Sequence, residues 1–214
     1  MNLEKCTKHI LIISTCSYRL HELEFVKPIE NIIKDINKNL HDSNTELFQY
    51  TTISIFEKSV SNNSFLQQFS HIIICGTALK DFTYLDFNSN ELFSNLKNLH
   101  IPIFGICAGA QLICKYNDIN LAENPKNQVI TVQSIQDEHK LNILKNKEFK
   151  IYALHSYTIN KKLINNNNNL FTPILVETNQ EELVQLFTIQ NDVGCFFHPE
   201  IKNKDIIKNF ILNN

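Results

Sequence analysis

Only four glycines occur in these 214 residues. Average usage is about 7%, so this chain keeps glycine only where no other residue serves. Such positions need positive φ or leave no room for a Cβ against a neighbouring backbone. Gly105 and Gly109 bracket a cysteine in Ile103-Phe104-Gly105-Ile106-Cys107-Ala108-Gly109-Ala110-Gln111. Gly76 closes the apolar run Ile72-Ile73-Ile74-Cys75, and Gly194 opens Gly194-Cys195-Phe196-Phe197-His198-Pro199-Glu200. The distribution points to one site built around Cys107 and His198.

Residues 101–106 form a short apolar run after a polar stretch, with Pro102 tolerated near a strand start. Residues 108–116 then follow a buried-helix pattern anchored by Leu112 and Ile113. Cys107 therefore falls at a strand-to-helix turn with a glycine two residues to either side. That is the G-x-Nuc-x-G spacing, in which a tight turn lifts a nucleophile above the sheet. A helix N-terminus offers partial positive charge and free N–H groups, which suit a thiolate. The N–H of Ala108 can face a developing oxyanion. The other cysteines, Cys6, Cys16, Cys75, Cys114 and Cys195, lack this setting and read as buried structural thiols.

Phe197-His198-Pro199-Glu200 supplies the rest of a triad: an imidazole base and a carboxylate to orient it. In an extended segment, residues two apart point to the same side, so Glu200 is placed to reach His198.

Here the chain resembles the class I, triad-type glutamine amidotransferases. Gly105-Ile106-Cys107-Ala108-Gly109-Ala110-Gln111 looks like their G-x-C-x-G-x-Q nucleophile motif, and Phe197-His198-Pro199-Glu200 like the F-H-P-E that completes the triad near the C-terminus. The run from Ile72 to Gly76 resembles the strand and loop giving the second oxyanion-hole N–H. Leu154-His155-Ser156-Tyr157 is similar to the segment that holds the amino-acid end of glutamine. The resemblance implies Cys107 as nucleophile, His198 as general acid/base and Glu200 as its orienter. It further implies an oxyanion hole from Ala108 and the Gly76-Thr77 backbone, with Gln111, Ser156 and Tyr157 on the substrate. Glutamine is then the substrate, a separate ATP-dependent synthetase subunit receives the ammonia, and no cofactor or metal is needed. Two other functions fit the same scaffold: a stand-alone γ-glutamyl hydrolase, and a non-catalytic regulatory subunit.

The family usually carries Gly-Gly-Pro or Gly-Pro-Gly at the oxyanion loop, whereas this chain reads Cys75-Gly76-Thr77-Ala78. If that loop requires positive φ at Thr77, a β-branched residue predicts strain there. Ser14-Thr15-Cys16-Ser17 also stands where many members have an aspartate-containing turn.

The length suits one α/β domain over residues 1–214. A net charge of −2 with scattered Lys and Glu gives no basic face for nucleic acid. Six cysteines without CxxC spacing argue against zinc and for a reducing, cytoplasmic setting. The polar start is not a signal peptide, and no apolar run is long enough to cross a bilayer. Residues 9–14, 48–56 and 72–75 read as strands, alternating with helices over 22–40, 63–69 and 92–99. Phe25, Ile29, Ile32, Ile33 and Ile36 form the apolar stripe of the first helix. The alternation predicts a mainly parallel, doubly wound sheet flanked by helices. Strand-like segments at 129–135, 149–153, 174–177, 183–189 and 193–197 predict antiparallel additions, and 205–212 a closing helix. The asparagine run at 165–169 reads as a polar surface loop.

Overall fold

The computed structural model describes residues 7–40, 47–138, 140–161, 171–178 and 182–214; the asparagine run and Cys6 lie outside the described residues. Strand β1 (Thr7–Ser14) is an apolar run whose side chains alternate between two cores. Ile10 and Ile12 pack on one face of the sheet, Leu11 and Ile13 on the other. A strand covered on both faces has no reason to alternate with polar residues, so the run is continuous. β2 (Leu47–Ser54), β3 (His71–Ile74), β4 (Ile103–Ile106) and β9 (Asp192–Cys195) join it as a parallel array in the order β2-β1-β3-β4-β9.

Helices cover both faces. α2 (Lys27–Leu40) and α6 (Asp205–Asn213) bury Ile29, Ile32, Ile33, Ile36, Ile206, Ile207, Phe210 and Ile211 in one core. α3 (Asn63–Leu66), α4 (Asn90–Asn98) and α5 (Ala108–Tyr116) bury Leu66, Leu92, Phe93, Leu96, Leu112 and Ile113 in the other. The helix expected over 22–40 is interrupted. A short α1 (Glu22–Phe25) ends at Val26 before α2 begins. Pro28 has no N–H to give the Glu24 carbonyl, so the ladder cannot run through that point. All five residues of the expected stripe are buried.

The second half adds β5 (Ala122–Ser134), β6 (Glu148–Asn160), β7 (Phe171–Glu177) and β8 (Leu183–Ile189), all paired antiparallel. The result is one nine-stranded mixed sheet among the described residues, ordered β2-β1-β3-β4-β9-β8-β6-β5-β7. Four of its strands are antiparallel additions, so "mainly parallel" describes the N-terminal half of the sheet and not the whole. β5 and β6 run well beyond the expected 129–135 and 149–153. Their pairing continues past a register shift between Glu123 and Lys126, next to Pro125, to join Ala122 with Thr158. Cross-strand bonds therefore carry β6 through Leu154, His155, Ser156 and Tyr157, a stretch with little apolar alternation. Among the described residues, no helix is long and apolar enough to cross a membrane.

Candidate active site

The loops leaving the carboxyl ends of β1, β3 and β4 meet at Cys107, the crevice expected in an open parallel sheet. Cys107 caps α5 with φ 47° and ψ −98°, a conformation costly for a residue bearing a Cβ. Its N–H is held by the Cys195 carbonyl at 2.7 Å, and its own carbonyl accepts from Gln111 at 3.0 Å. No glycine here takes positive φ; the cysteine bears the strain and the glycines make room. A Cβ on Gly105 would stand 2.6 Å from the Gly109 carbonyl carbon, so β4 and α5 touch backbone to backbone. A Cβ on Gly76 would stand 2.6 Å from His198 Cε1 and 3.2 Å from Cys107 Cβ. Gly76 is thus required by the imidazole itself.

His198 and Glu200 are almost wholly buried. His198 Nδ1 lies 2.6 Å from Glu200 Oε1, and Nε2 lies 3.1 Å from the Leu154 carbonyl. Both partners accept, so both ring nitrogens donate when the ring is an imidazolium. Burial opposes that charge, but Glu200 and the Cys107 side chain outweigh it and hold His198 well above the usual histidine range. Residues 198–202 form a turn, with the His198 carbonyl accepting from Ile201 at 3.2 Å, and not the extended segment assumed from the sequence. The carboxylate reaches the ring because the turn folds it back. The Phe25 ring packs at 5.3 Å from the imidazole. Cys107 Sγ donates to the same Leu154 carbonyl at 3.3 Å. Burial pushes the thiols of Cys16, Cys75, Cys114 and Cys195 up, which keeps them protonated and inert.

The Gly76-Thr77 loop is braced from three sides. Thr15 Oγ1 donates to the Cys75 carbonyl at 3.1 Å, and Thr77 Oγ1 to Asp81 Oδ2 at 2.8 Å. The same carboxylate accepts the Ser17 N–H at 2.9 Å. Thr77 is not among the residues at positive φ, so the anticipated strain is absent. Its side chain instead ties the loop to Asp81. The amides of Gly76, Thr77 and Ala108 have no hydrogen-bond partner among the described residues.

Gln111 and Ser156 line the same cavity as Cys107 and Thr77, with Tyr157 just outside, its ring edge-on to Phe82 at 6.3 Å. The elbow, His198, Glu200, Gly76, Thr77, Ala108, Gln111 and Ser156 thus converge. Asp81, Tyr84 and Phe82 also belong to the site and were not singled out from sequence, and His155, named only within the Leu154–Tyr157 segment, lines it too. For Tyr84 and Phe82 the available signal was an aromatic cluster (Phe82, Tyr84, Phe87) in a segment without helical or strand period. His155 is fully buried, and burial lowers its pKa to about 4 against the opposing influence of Gln185 and the Asn124 backbone, so it stays neutral. The cavity is about 10 Å³, room for about one water.

The family model for class I glutamine amidotransferases matches residues 29–214, and the chain belongs to that family. None of the curated proteins matches the sequence. The fold is similar to that of a putative GMP synthase component from Thermoplasma acidophilum, with TM-score 0.70 and 18% identity over 96% of this chain and 92% of that one. It is also similar to PurLQS from Thermotoga maritima, with TM-score 0.66 and 12% identity over 96% and 98% of the two chains. A putative ThuA-like protein from Bacteroides uniformis gives TM-score 0.67 and 14% identity over 99% and 93%. At these identities the likeness is one of fold.

Proposed function

We propose that this chain is a glutaminase of the amidotransferase type. The observation that carries the reading is the Cys107 elbow backed by a buried His198–Glu200 pair at 2.6 Å. The thiol's proton resides on His198 as the imidazolium, and the Cys107 thiolate adds to the carbon of a glutamine side-chain amide. The oxyanion so formed meets the free amides of Ala108 and the Gly76-Thr77 loop. Donors placed in this way are each worth roughly 10²–10³ in rate. As the C–N bond breaks, the imidazolium gives its proton to the departing nitrogen, releasing ammonia and leaving a γ-glutamyl thioester. His198 then takes a proton from water, whose oxygen displaces Sγ to give glutamate. Covalent catalysis divides one hard step into two easier ones. Glu200 holds the ring in position and stabilises its charge throughout.

The ammonia is passed to a separate ATP-dependent synthetase subunit. One structural neighbour is a putative GMP synthase subunit, which supports this part of the reading. A cavity of about 10 Å³ beside Cys107 is too small for glutamine. The contacts of Phe82 with Tyr157, and of Ser156 with the Leu79 carbonyl at 3.5 Å, must loosen before the substrate enters. Hydrolysis by the isolated chain is therefore slow and rises when the synthetase is present. Ammonia release from glutamine, with Cys107→Ala as control, tests the reading. Release at the same rate from both proteins would refute it.

A further inference from the structure

Tyr84 sits in a single turn of 3-10 helix (Thr83–Asp86) and is buried under the loop that follows β3. Its hydroxyl donates to Gln111 Oε1 at 2.7 Å. Gln111 is as deeply buried, and lies one turn along α5 from Cys107. A carboxamide has one accepting end and one donating end. With Oε1 held by the phenol, Nε2 is turned away from Tyr84, and it has no partner among the described residues. Tyr84 and Gln111 both line the cavity that holds Cys107, Thr77 and Ser156. Burial, the largest influence on the Tyr84 phenol, drives its pKa upward. The group therefore keeps its proton, and its donor role, at every pH where the protein works.

Resting on the amidotransferase reading, we propose that Tyr84 is a positioning residue that fixes the Gln111 amide with Nε2 presented to the substrate. The site then selects molecules that carry an acceptor, such as a carboxylate, on the part that reaches past the thiol. Tyr84 touches neither the thiol nor the reacting amide; it acts through Gln111. Without the phenol hydroxyl, the buried Oε1 loses its only donor among the described residues and the amide is free to reverse.

The test uses the full chain and two reagents that modify Cys107, with Cys107→Ala as the blank. Iodoacetamide needs the thiol and an open loop, but no contact with the Gln111 amide. A glutamine-shaped diazoketone with free α-amino and α-carboxylate groups needs the thiol and the substrate pocket. In Tyr84→Phe, alkylation by iodoacetamide is unchanged and labelling by the diazoketone at subsaturating concentration falls about 10-fold, the effect of one buried hydrogen bond. Gln111→Ala shows the same selective loss, and adding Tyr84→Phe to it causes no further loss, because the two residues act as one unit. Equal labelling of Tyr84→Phe and wild type by the diazoketone overturns the proposal. So does an equal loss with both reagents, accompanied by a lowered melting temperature, which marks a purely structural role. Additive losses in the double variant overturn it too. If wild type reacts with iodoacetamide and not with the diazoketone, the amidotransferase reading fails and this inference falls with it.

Discussion

Two carboxylates govern the site at the scale of single residues. Glu200 raises the proton affinity of His198 against the cost of burial. The pair's contribution to folding is therefore complete below the ordinary histidine pKa of about 6.5 and is lost as pH climbs through the raised folded value. In Glu200→Gln the imidazole titration, followed by NMR, moves to lower pH. Turnover falls in that variant, but less than the roughly 10²–10⁴-fold expected for His198→Ala. An unaffected rate in His198→Ala would eliminate the triad. Asp81 performs the second task, binding Thr77 Oγ1 and the Ser17 N–H. Because Thr77 avoids positive φ and is anchored, Thr77→Gly slows turnover by freeing the loop; a faster enzyme would show that the anchor restrains catalysis. Cys107, Gln111, His198 and Glu200 were legible because local spacing carries them. Asp81 and Tyr84 were not, since their partners lie on other elements and their own segment has no period.

Between elements, legibility followed periodicity in the same way. β1 and β3 sit within a residue or two of their expected places because unbroken apolar runs mark them, and β8 matches because Leu183, Val184, Leu186, Phe187 and Ile189 dominate its segment. The division at Val26 comes from Pro28, a local effect masked in the sequence by the apolar stripe around it. The length of β6 was hidden because cross-strand pairing with β5, and not apolar content, carries it past Ala153. That extension has a functional consequence, since it delivers the Leu154 carbonyl, His155 and Ser156 to the thiol. The loop after β3 closes the other side, with Phe82 about 41% exposed and leaning on Tyr157. Phe82→Ala removes that contact, so alkylation of Cys107 by iodoacetamide accelerates severalfold with little change in melting temperature. An unchanged rate would mean that the loop does not limit access.

For the whole molecule, two buried histidines and one half-buried aspartate outside the triad set a pH profile. His71 and His155 are held neutral by burial, each with its pKa lowered to about 4. Each binds a proton more weakly when folded, so each contributes stability that is lost as pH falls from about 6.5 to about 4. Asp192 acts in the opposite sense. Burial raises it to about 7, against the Ile103 N–H and Lys97. It binds its proton more tightly when folded, and its contribution is lost as pH rises from about 4 to about 7. Two groups oppose one, so the melting temperature rises between these limits. Asp192→Asn makes that rise steeper and lifts the melting temperature at pH above about 7. A variant no more stable than wild type under alkaline conditions would mean that the carboxylate is not strained by its burial.

If Cys107 attacks a glutamine amide, a γ-glutamyl thioester forms on it and can be trapped. Glutamine is mixed with the full chain, the reaction is quenched in acid, and the intact protein is weighed. A γ-glutamyl adduct is expected on Cys107, absent from Cys107→Ala and accumulating when hydroxylamine is withheld. Ammonia released without any adduct, or an adduct on Cys16, Cys75, Cys114 or Cys195, would contradict it.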